Sequence, residues 1–148
     1  MKTLIVHHIE GSFDSHLNIV EWIVDAAKHF SENSYEKIIY NVSGLEYHTI
    51  DDQIARFLRN NCREFIQDEI SWGYDEYHFD TESDVEGVDY IRLDYSASTI
   101  WPIPTWYEGI SEKDEVFIAG AFDQECVEEL RAFLNKVNIA FSETELVV

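Results

Sequence analysis

Short apolar runs alternate with amphipathic segments along most of this chain, and that alternation restricts its fold more than any other feature. The run from Lys2 to Ile9 contains Leu4, Ile5 and Val6 in succession, and a second apolar run extends from Lys37 to Val42. Continuous apolar runs of this length are typical of strands that are buried on both faces, as in parallel sheets. Both segments are therefore predicted to be core strands.

Apolar residues at helical spacing predict three helices. Their limits, set by capping residues and by the end of the spacing, are Asp14 or Ser15 to about Phe30, Asp51 to about Ile70, and Asp123 or Gln124 to Lys136. The apolar stripes on these segments are, in turn, Leu17, Val20, Ile23, Val24 and Ala27; Ile54, Phe57, Leu58, Cys62, Phe65 and Ile66; and Val127, Leu130, Leu134 and Val137. Cys62 is therefore predicted to be a core residue.

Three further strands complete the pattern, at Val88 to Leu93, Val116 to Ala119 and Asn138 to Val148. The segment from Trp101 to Trp106 contains two prolines and is predicted to be an ordered aromatic loop. Strands that alternate with helices favour an α/β fold with helices on both faces of a mainly parallel sheet. The 148 residues correspond to one domain. The sequence thus predicts a single-domain, three-layer, doubly wound sheet.

An acidic excursion at about residues 71–87 interrupts this alternation. Between Asp68 and Asp94 there are ten acidic residues and one base, Arg92, and the whole chain has a formal net charge of −20. Such a charge repels nucleic acid and anionic membranes at long range and attracts basic protein surfaces. A purely solubilising role for the charge is the alternative. The predicted acidic surface consists of Asp75, Glu76, Asp80, Glu82, Asp84 and Glu86.

No motif predicts a metal site or a cofactor. The run from Asp80 to Gly87 superficially resembles a calcium loop, but its glycine comes two positions late and Ile91 stands where a bidentate glutamate is required. The six histidines lack zinc spacing, and there is no glycine-rich phosphate loop. Two cysteines without a C-x-x-C pattern, and no apolar run of membrane-spanning length, predict a cytoplasmic chain. A small-molecule ligand and a homo-oligomer both stay open.

Cys126 follows an apolar strand and a turn at Gly120, at the predicted N-terminus of a helix. In open α/β sheets, ligands and nucleophiles lie at the carboxyl ends of strands, where this pattern places the thiol. His7 and His8 occupy the carboxyl end of the first strand, where adjacent residues are expected to face opposite sides of the sheet. A Cys–His encounter at this edge is one interpretation, and a small packing residue at position 126 is the other.

The segment from Gly120 to Val127 resembles the motif G-x-x-[TS]-x-x-C-V of the isochorismatase-like cysteine hydrolases, with Asp123 at the Thr or Ser position. The D-x-Q-x-x-F motif of that family corresponds to the run from His8 to Phe13, so a histidine replaces the acid. The family's lysine, which precedes a Y-S-A-F-like segment, corresponds to Arg92. The resemblance implies a doubly wound parallel sheet and a nucleophilic cysteine, with two of the three catalytic positions replaced.

Two functions follow from this resemblance. In a cysteine hydrolase acting on a small amide or ester-like metabolite, Cys126 would attack, His8 would transfer the proton and Arg92 would stabilise negative charge. In a non-catalytic binding protein, the acidic excursion would recognise a basic partner. The replaced catalytic positions and the extreme net charge favour the binding protein. The carboxylates near the thiol, at Asp123, Glu125, Glu128 and Glu129, are expected to oppose a thiolate. The residues expected to line a binding site are Phe13, Trp101, Trp106, Ala121 and Phe122.

Overall fold

The computed structural model describes residues 1–9, 19–42, 48–74, 91–92, 98–101 and 104–148. Within these ranges the chain forms eight strands, three α-helices and one short 3₁₀ helix. In chain order the elements are β1 (Lys2–His7), α1 (Ile19–Glu32), β2 (Lys37–Val42), α2 (His48–Arg59), β3 (Glu64–Glu69), β4 (Ser71–Tyr74), β5 (Ile91–Arg92), β6 (Ser98–Trp101), the 3₁₀ helix (Tyr107–Gly109), β7 (Glu115–Gly120), α3 (Cys126–Lys136) and β8 (Ser142–Val147).

Five strands form one parallel sheet in the order β3-β2-β1-β7-β8, and the other three form an antiparallel sheet in the order β4-β6-β5. Strand β1 is central because it pairs with β2 on one side and with β7 on the other, so that Ile5 lies opposite both Ile39 and Ile118. The outer pairs β2–β3 and β7–β8 are parallel as well. The α/β class and the mainly parallel sheet predicted from the sequence are confirmed.

The two faces of the parallel sheet support separate hydrophobic cores, because successive residues of a strand face opposite ways. Leu4 and Val6 pack into the first core with residues of α1 and α2. Ile5 packs into the second core with residues of α3. The crossovers through α1 and α2 advance to one side of β1, and the crossover through α3 advances to the other. Right-handed crossovers therefore place α3 on the opposite face from α1 and α2, which gives the predicted three layers.

Strand β3 falls within the segment predicted to be the second half of the second helix, and that prediction was wrong. Helix α2 ends earlier, where the side-chain amide of Asn61 donates a hydrogen bond of 2.8 Å to the carbonyl of Phe57. Phe65 and Ile66 then pack against different cores, one on each face of the sheet. Because β3 is an acidic edge strand, its apolar residues alternate too weakly to distinguish it from a helix. Cys62 is half-buried in the connection and packs against the first core.

The buried face of α1 also differs from the predicted stripe, because Val20 and Val24 are 63% and 61% exposed. The helix instead buries Trp22 and Ala26. The indole Nε1 of Trp22 donates a hydrogen bond of 3.2 Å to the carbonyl of Leu146 in β8. Both faces of α1 contain apolar residues, so the large indole and its hydrogen-bond acceptor on a distant strand decide which face is buried.

Candidate functional site

The carboxyl ends of β1 and β7 form a topological switch point, because the crossovers that begin there cover opposite faces of the sheet. His7 ends β1, and the register places it beside Asn41 of β2 and Gly120 of β7. Ligands of open α/β proteins bind outside the carboxyl ends of the strands at such a point. This edge of the sheet is therefore the candidate functional site.

His7 and His8 lie side by side at this edge, so the prediction that they face opposite sides of the sheet was wrong. The strand ends at His7, and His8 has a φ of 53°, which is in the left-handed region. The resulting change of direction stacks the two imidazole rings, with centroids 3.9 Å apart and planes 12° apart. Both side chains are buried. The edge thus contains a stacked pair of imidazoles shielded from solvent.

A chain of hydrogen bonds fixes the orientation of His7. The indole Nε1 of Trp106 donates to Oδ1 of Asn41 at 3.0 Å, and Nδ2 of Asn41 donates to Nδ1 of His7 at 3.1 Å. Since an indole N–H can only donate, the carboxamide oxygen must face the indole and the carboxamide nitrogen must face the imidazole. His7 therefore accepts at Nδ1 and, when neutral, has its proton on Nε2.

His8 is held by the carbonyl group of Ile70, the residue that follows β3. Nε2 of His8 lies 2.8 Å from this oxygen, and a carbonyl can only accept, so the proton of the neutral ring is on Nε2. The backbone amide of His8 donates a hydrogen bond to the carbonyl of Asn41 at 2.9 Å. The backbone amide of Ile70 donates a hydrogen bond to the carbonyl of Val42, also at 2.9 Å. These bonds leave Nδ1 as the nitrogen of His8 at which a further proton would be taken up.

Burial makes both imidazoles weak bases. Desolvation lowers the pKa of His8 from its ordinary value of 6.5 to about 4, although the hydrogen bond to Ile70 acts in the opposite direction. Desolvation, with a smaller contribution from neighbouring His8, lowers the pKa of His7 well below its ordinary value. Both rings are consequently neutral at pH 7.

Gly120 allows β7 to approach β1 closely at the switch point. Its φ is 134°, and a Cβ atom at this position would lie 2.0 Å from the carbonyl oxygen of His7. The amide of Ala121 donates to the same oxygen at 3.0 Å. Only glycine combines this backbone conformation with the space that the neighbouring strand leaves.

No family model matches this chain, and neither does a curated protein or a solved structure. In the part of the chain that the structure describes, no helix is both long and apolar enough to cross a membrane. In the same part, no three side chains of His, Cys, Asp or Glu come together as ligands for a metal ion.

Cys126 is the first residue of α3 and is half-buried. Because β1 and β7 are parallel neighbours, the connection from β7 to α3 begins at the edge of the sheet where His8 lies. The residue before it, Glu125, occupies the N-cap position and makes no side-chain capping hydrogen bond. The fold thus brings two of the three predicted catalytic residues to one edge of the sheet.

A cysteine hydrolase needs free backbone amides near its thiol to form an oxyanion hole, but several amides between Gly120 and Cys126 are already bonded within the chain. In addition to the bond from Ala121 to His7, the amide of Asp123 donates to the carbonyl of Val148 at 2.8 Å. The amide of Glu125 donates to the carbonyl of Phe122 at 3.0 Å. These three amides cannot stabilise an oxyanion without breaking their present hydrogen bonds.

Arg131 compensates part of the negative charge around the start of α3. Its guanidinium forms ion pairs with Asp123, Glu128 and Glu143. Hydrogen bonds to carboxylates, with Glu143 contributing most, raise the pKa of Arg131. Two of the carboxylates expected to oppose a thiolate at Cys126 are therefore paired. The spacing of Glu128 and Arg131, three positions apart on one helix, was the sequence signal for this contact.

Two other predicted site residues lie in the antiparallel sheet. Arg92 is in β5, opposite Thr99 of β6, and Trp101 ends β6 opposite Ser71 of β4. The described part of the strand predicted from Val88 to Leu93 consists of residues 91–92. Arg92 thus belongs to a different sheet from the strands that lead to His8 and Cys126.

The predicted binding residues differ in their surroundings. Trp106 is 3% exposed and packs edge-on against Phe133, with ring centroids 5.8 Å apart. Ala121 is buried, and Phe122 is half-buried against the first core. The predicted positions that fall outside the described residues are Phe13, Asp75, Glu76, Asp80, Glu82, Asp84 and Glu86.

Asn41 belongs to the polar network at this edge but was not selected from the sequence. It lies near the end of a strand that was predicted correctly, from Lys37 to Val42, and every residue of that strand is buried. A carboxamide in such a strand requires hydrogen-bond partners inside the protein. The signal was therefore its polarity within an apolar run, although the sequence could not show that Trp106 and His7 are the partners.

Proposed function

We propose that this chain is a non-catalytic binding protein that recognises a basic protein partner through its acidic surface. The observation that carries this proposal is the burial of His8, whose ring is 4% exposed and bonded through Nε2 to the carbonyl of Ile70, which makes it a poor base for a catalytic thiol. The proposal includes divergence from an isochorismatase-like ancestor and a location in the cytoplasm. The parallel sheet and the glycine turn before Cys126 support the first of these, and the absence of a disulfide between Cys62 and Cys126 supports the second.

A thiol gains little from a base such as His8. An ordinary cysteine has a pKa of about 8.5, whereas burial holds the pKa of His8 at about 4. Proton transfer between such groups is unfavourable by about 6 kcal/mol before any attraction between the resulting ions is included. The bonded amides of Ala121, Asp123 and Glu125 remove a further contribution to catalysis. Both observations support binding rather than hydrolysis.

Negative charge is distributed widely over the described surface. Exposed carboxylates include Glu36 before β2, Glu69 at the end of β3, and Glu108 and Glu112 before β7. Together with the formal charge of −20, they create a field that attracts basic proteins and accelerates their association. The carboxylates of the acidic excursion are part of this net charge.

The proposal predicts salt-sensitive binding to a basic probe. A fluorescein-labelled arginine-rich peptide should bind the protein at 50 mM salt, and its Kd should rise by about tenfold or more at 300 mM salt because ions screen the attraction. Fluorescence anisotropy measures both values. A glutamate-rich peptide of equal length is the control and should not bind. Failure of the arginine-rich peptide to bind at low salt would reject the proposed function.

The hydrolase remains a second candidate because the fold brings Cys126 and His8 to the same edge of the sheet. The test is the pH dependence of alkylation by iodoacetamide in a Cys62→Ala background. The binding proposal predicts an ordinary thiol, whose labelling rate rises only above about pH 8. Rapid labelling at pH 6 that the His8→Gln substitution abolishes would instead support the hydrolase.

A further inference from the structure

An open groove separates the segment that precedes β7 from the connection between α3 and β8. Its volume is about 470 Å³, within the range typical of ligand sites. The floor is apolar and includes Ile110, Val116 and Ile139. Of these, Val116 is buried and the other two are half-buried, so apolar surface is accessible to a ligand. None of the residues that line the groove belongs to the candidate site or to the acidic excursion.

Carboxylates form the rim of the groove. Glu108, Glu112 and Asp114 line it, and no lysine or arginine is among the lining residues, all of which the structure describes. Asp114 is already engaged by the backbone amide of Ser111 at 2.8 Å and by the terminal ammonium group at 3.4 Å. Glu108 and Glu112 are exposed, and neither forms an ion pair within the described residues. The two glutamates are thus the groups that a cationic ligand would neutralise.

An apolar floor below a carboxylate rim complements an arginine side chain. The aliphatic part of arginine covers apolar surface, and its guanidinium binds carboxylates in a planar, bidentate manner. The half-buried Tyr107 also lines the groove, and tyrosine rings are stacking partners for guanidinium groups. Lysine has a similar stem but lacks the planar group for these contacts.

We propose that this groove receives an arginine side chain from a basic segment of the protein partner. The inference rests on the proposed function, which attributes recognition to the charge of the acidic surface and assigns no pocket to an individual side chain of the partner. Recognition would then depend on the shape and apolar floor of the groove, in addition to the attraction of the whole acidic surface.

Substitutions that change the groove in two independent ways test this inference with the same labelled arginine-rich peptide. Glu108→Gln with Glu112→Gln removes two rim charges, and Ala140→Trp fills the groove from an exposed position without a change of charge. The matched control, Glu21→Gln with Asp25→Asn, removes two exposed charges from α1 on the other face of the sheet. Urea unfolding of each variant shows whether the fold is retained.

Both groove variants are expected to raise the Kd by about tenfold at 50 mM salt, and the control by less than about twofold. If the two charge variants weaken binding equally, the attraction is unspecific and the groove is not the site, although the proposed function stands. If unaltered protein does not bind the peptide, both proposals fail. If Ala140→Trp does not fold, the comparison of the two charge variants decides.

Discussion

Replacing Gly120 by alanine is expected to lower the free energy of unfolding by about 3 kcal/mol or more. The added Cβ would lie 2.0 Å from the carbonyl oxygen of His7, and the φ of 134° is strained for any residue with a side chain. The obstructing atom belongs to the backbone, so no side-chain rotation relieves the contact. Strands β1 and β7 would have to separate at the switch point. Urea unfolding followed by circular dichroism measures the effect.

Gly109→Ala is the matched control for this substitution. A Cβ atom at Gly109 would meet no other atom within 4 Å. The change should therefore alter the free energy of unfolding by no more than about 0.5 kcal/mol. Equal stability of the two variants would contradict the close packing of β1 against β7.

Lowering the pH from 6.5 to 4 is expected to cost about 3 kcal/mol of stability through His8 alone. The pKa of His8 is about 4 in the folded protein and 6.5 in an unfolded chain, so the unfolded chain takes up the proton first. The stabilisation that neutral His8 contributes is present above its unfolded pKa of 6.5 and is lost as the pH falls through its folded pKa of about 4. His7 acts in the same direction, because burial also lowers its pKa.

The His8→Gln variant isolates this contribution, because glutamine can donate a hydrogen bond to Ile70 but does not titrate. The difference in the free energy of unfolding between the unaltered protein and this variant should shrink or change sign as the pH falls through the window. Ile5→Val, which removes one buried methyl group and no titratable group, should leave a constant difference. Urea unfolding at four pH values between 7 and 4.5 provides the data, and parallel curves for all three proteins would refute a buried neutral His8.

The elements that the sequence predicted best are a strand that is buried on both faces and a helix with one clear apolar stripe. The limits of β2 agree with the prediction, and the buried residues of α3 include Val127, Leu130 and Leu134, as expected. Their patterns are clear because nearly every apolar side chain on them reaches a core. Strand β3 was missed since it is paired on one side only, and its acidic residues interrupt the apolar pattern.

The candidate site could be located from the sequence but its geometry could not. The placement of His8 after β1, and of Cys126 at the start of the helix that follows β7, comes from the alternation of strands and helices. The stacking of His7 on His8 depends on a left-handed backbone conformation at His8, which few residues other than glycine adopt. The proton positions likewise depend on Trp106 and Ile70, which are far from the histidines in the sequence. Contacts between residues that are far apart in the sequence leave no pattern in the residues around either partner.

The central position of β1 has a consequence for synthesis on the ribosome. Strand β2, which forms hydrogen bonds with one edge of β1, is translated early. Strand β7, which forms hydrogen bonds with the other edge, is translated only after the acidic segment. A nascent chain of the first half exposes both an unpaired edge and the apolar face that α3 later covers, and such intermediates aggregate readily. The carboxylates translated in between give neighbouring nascent chains like charges, so that they repel one another until the sheet is complete.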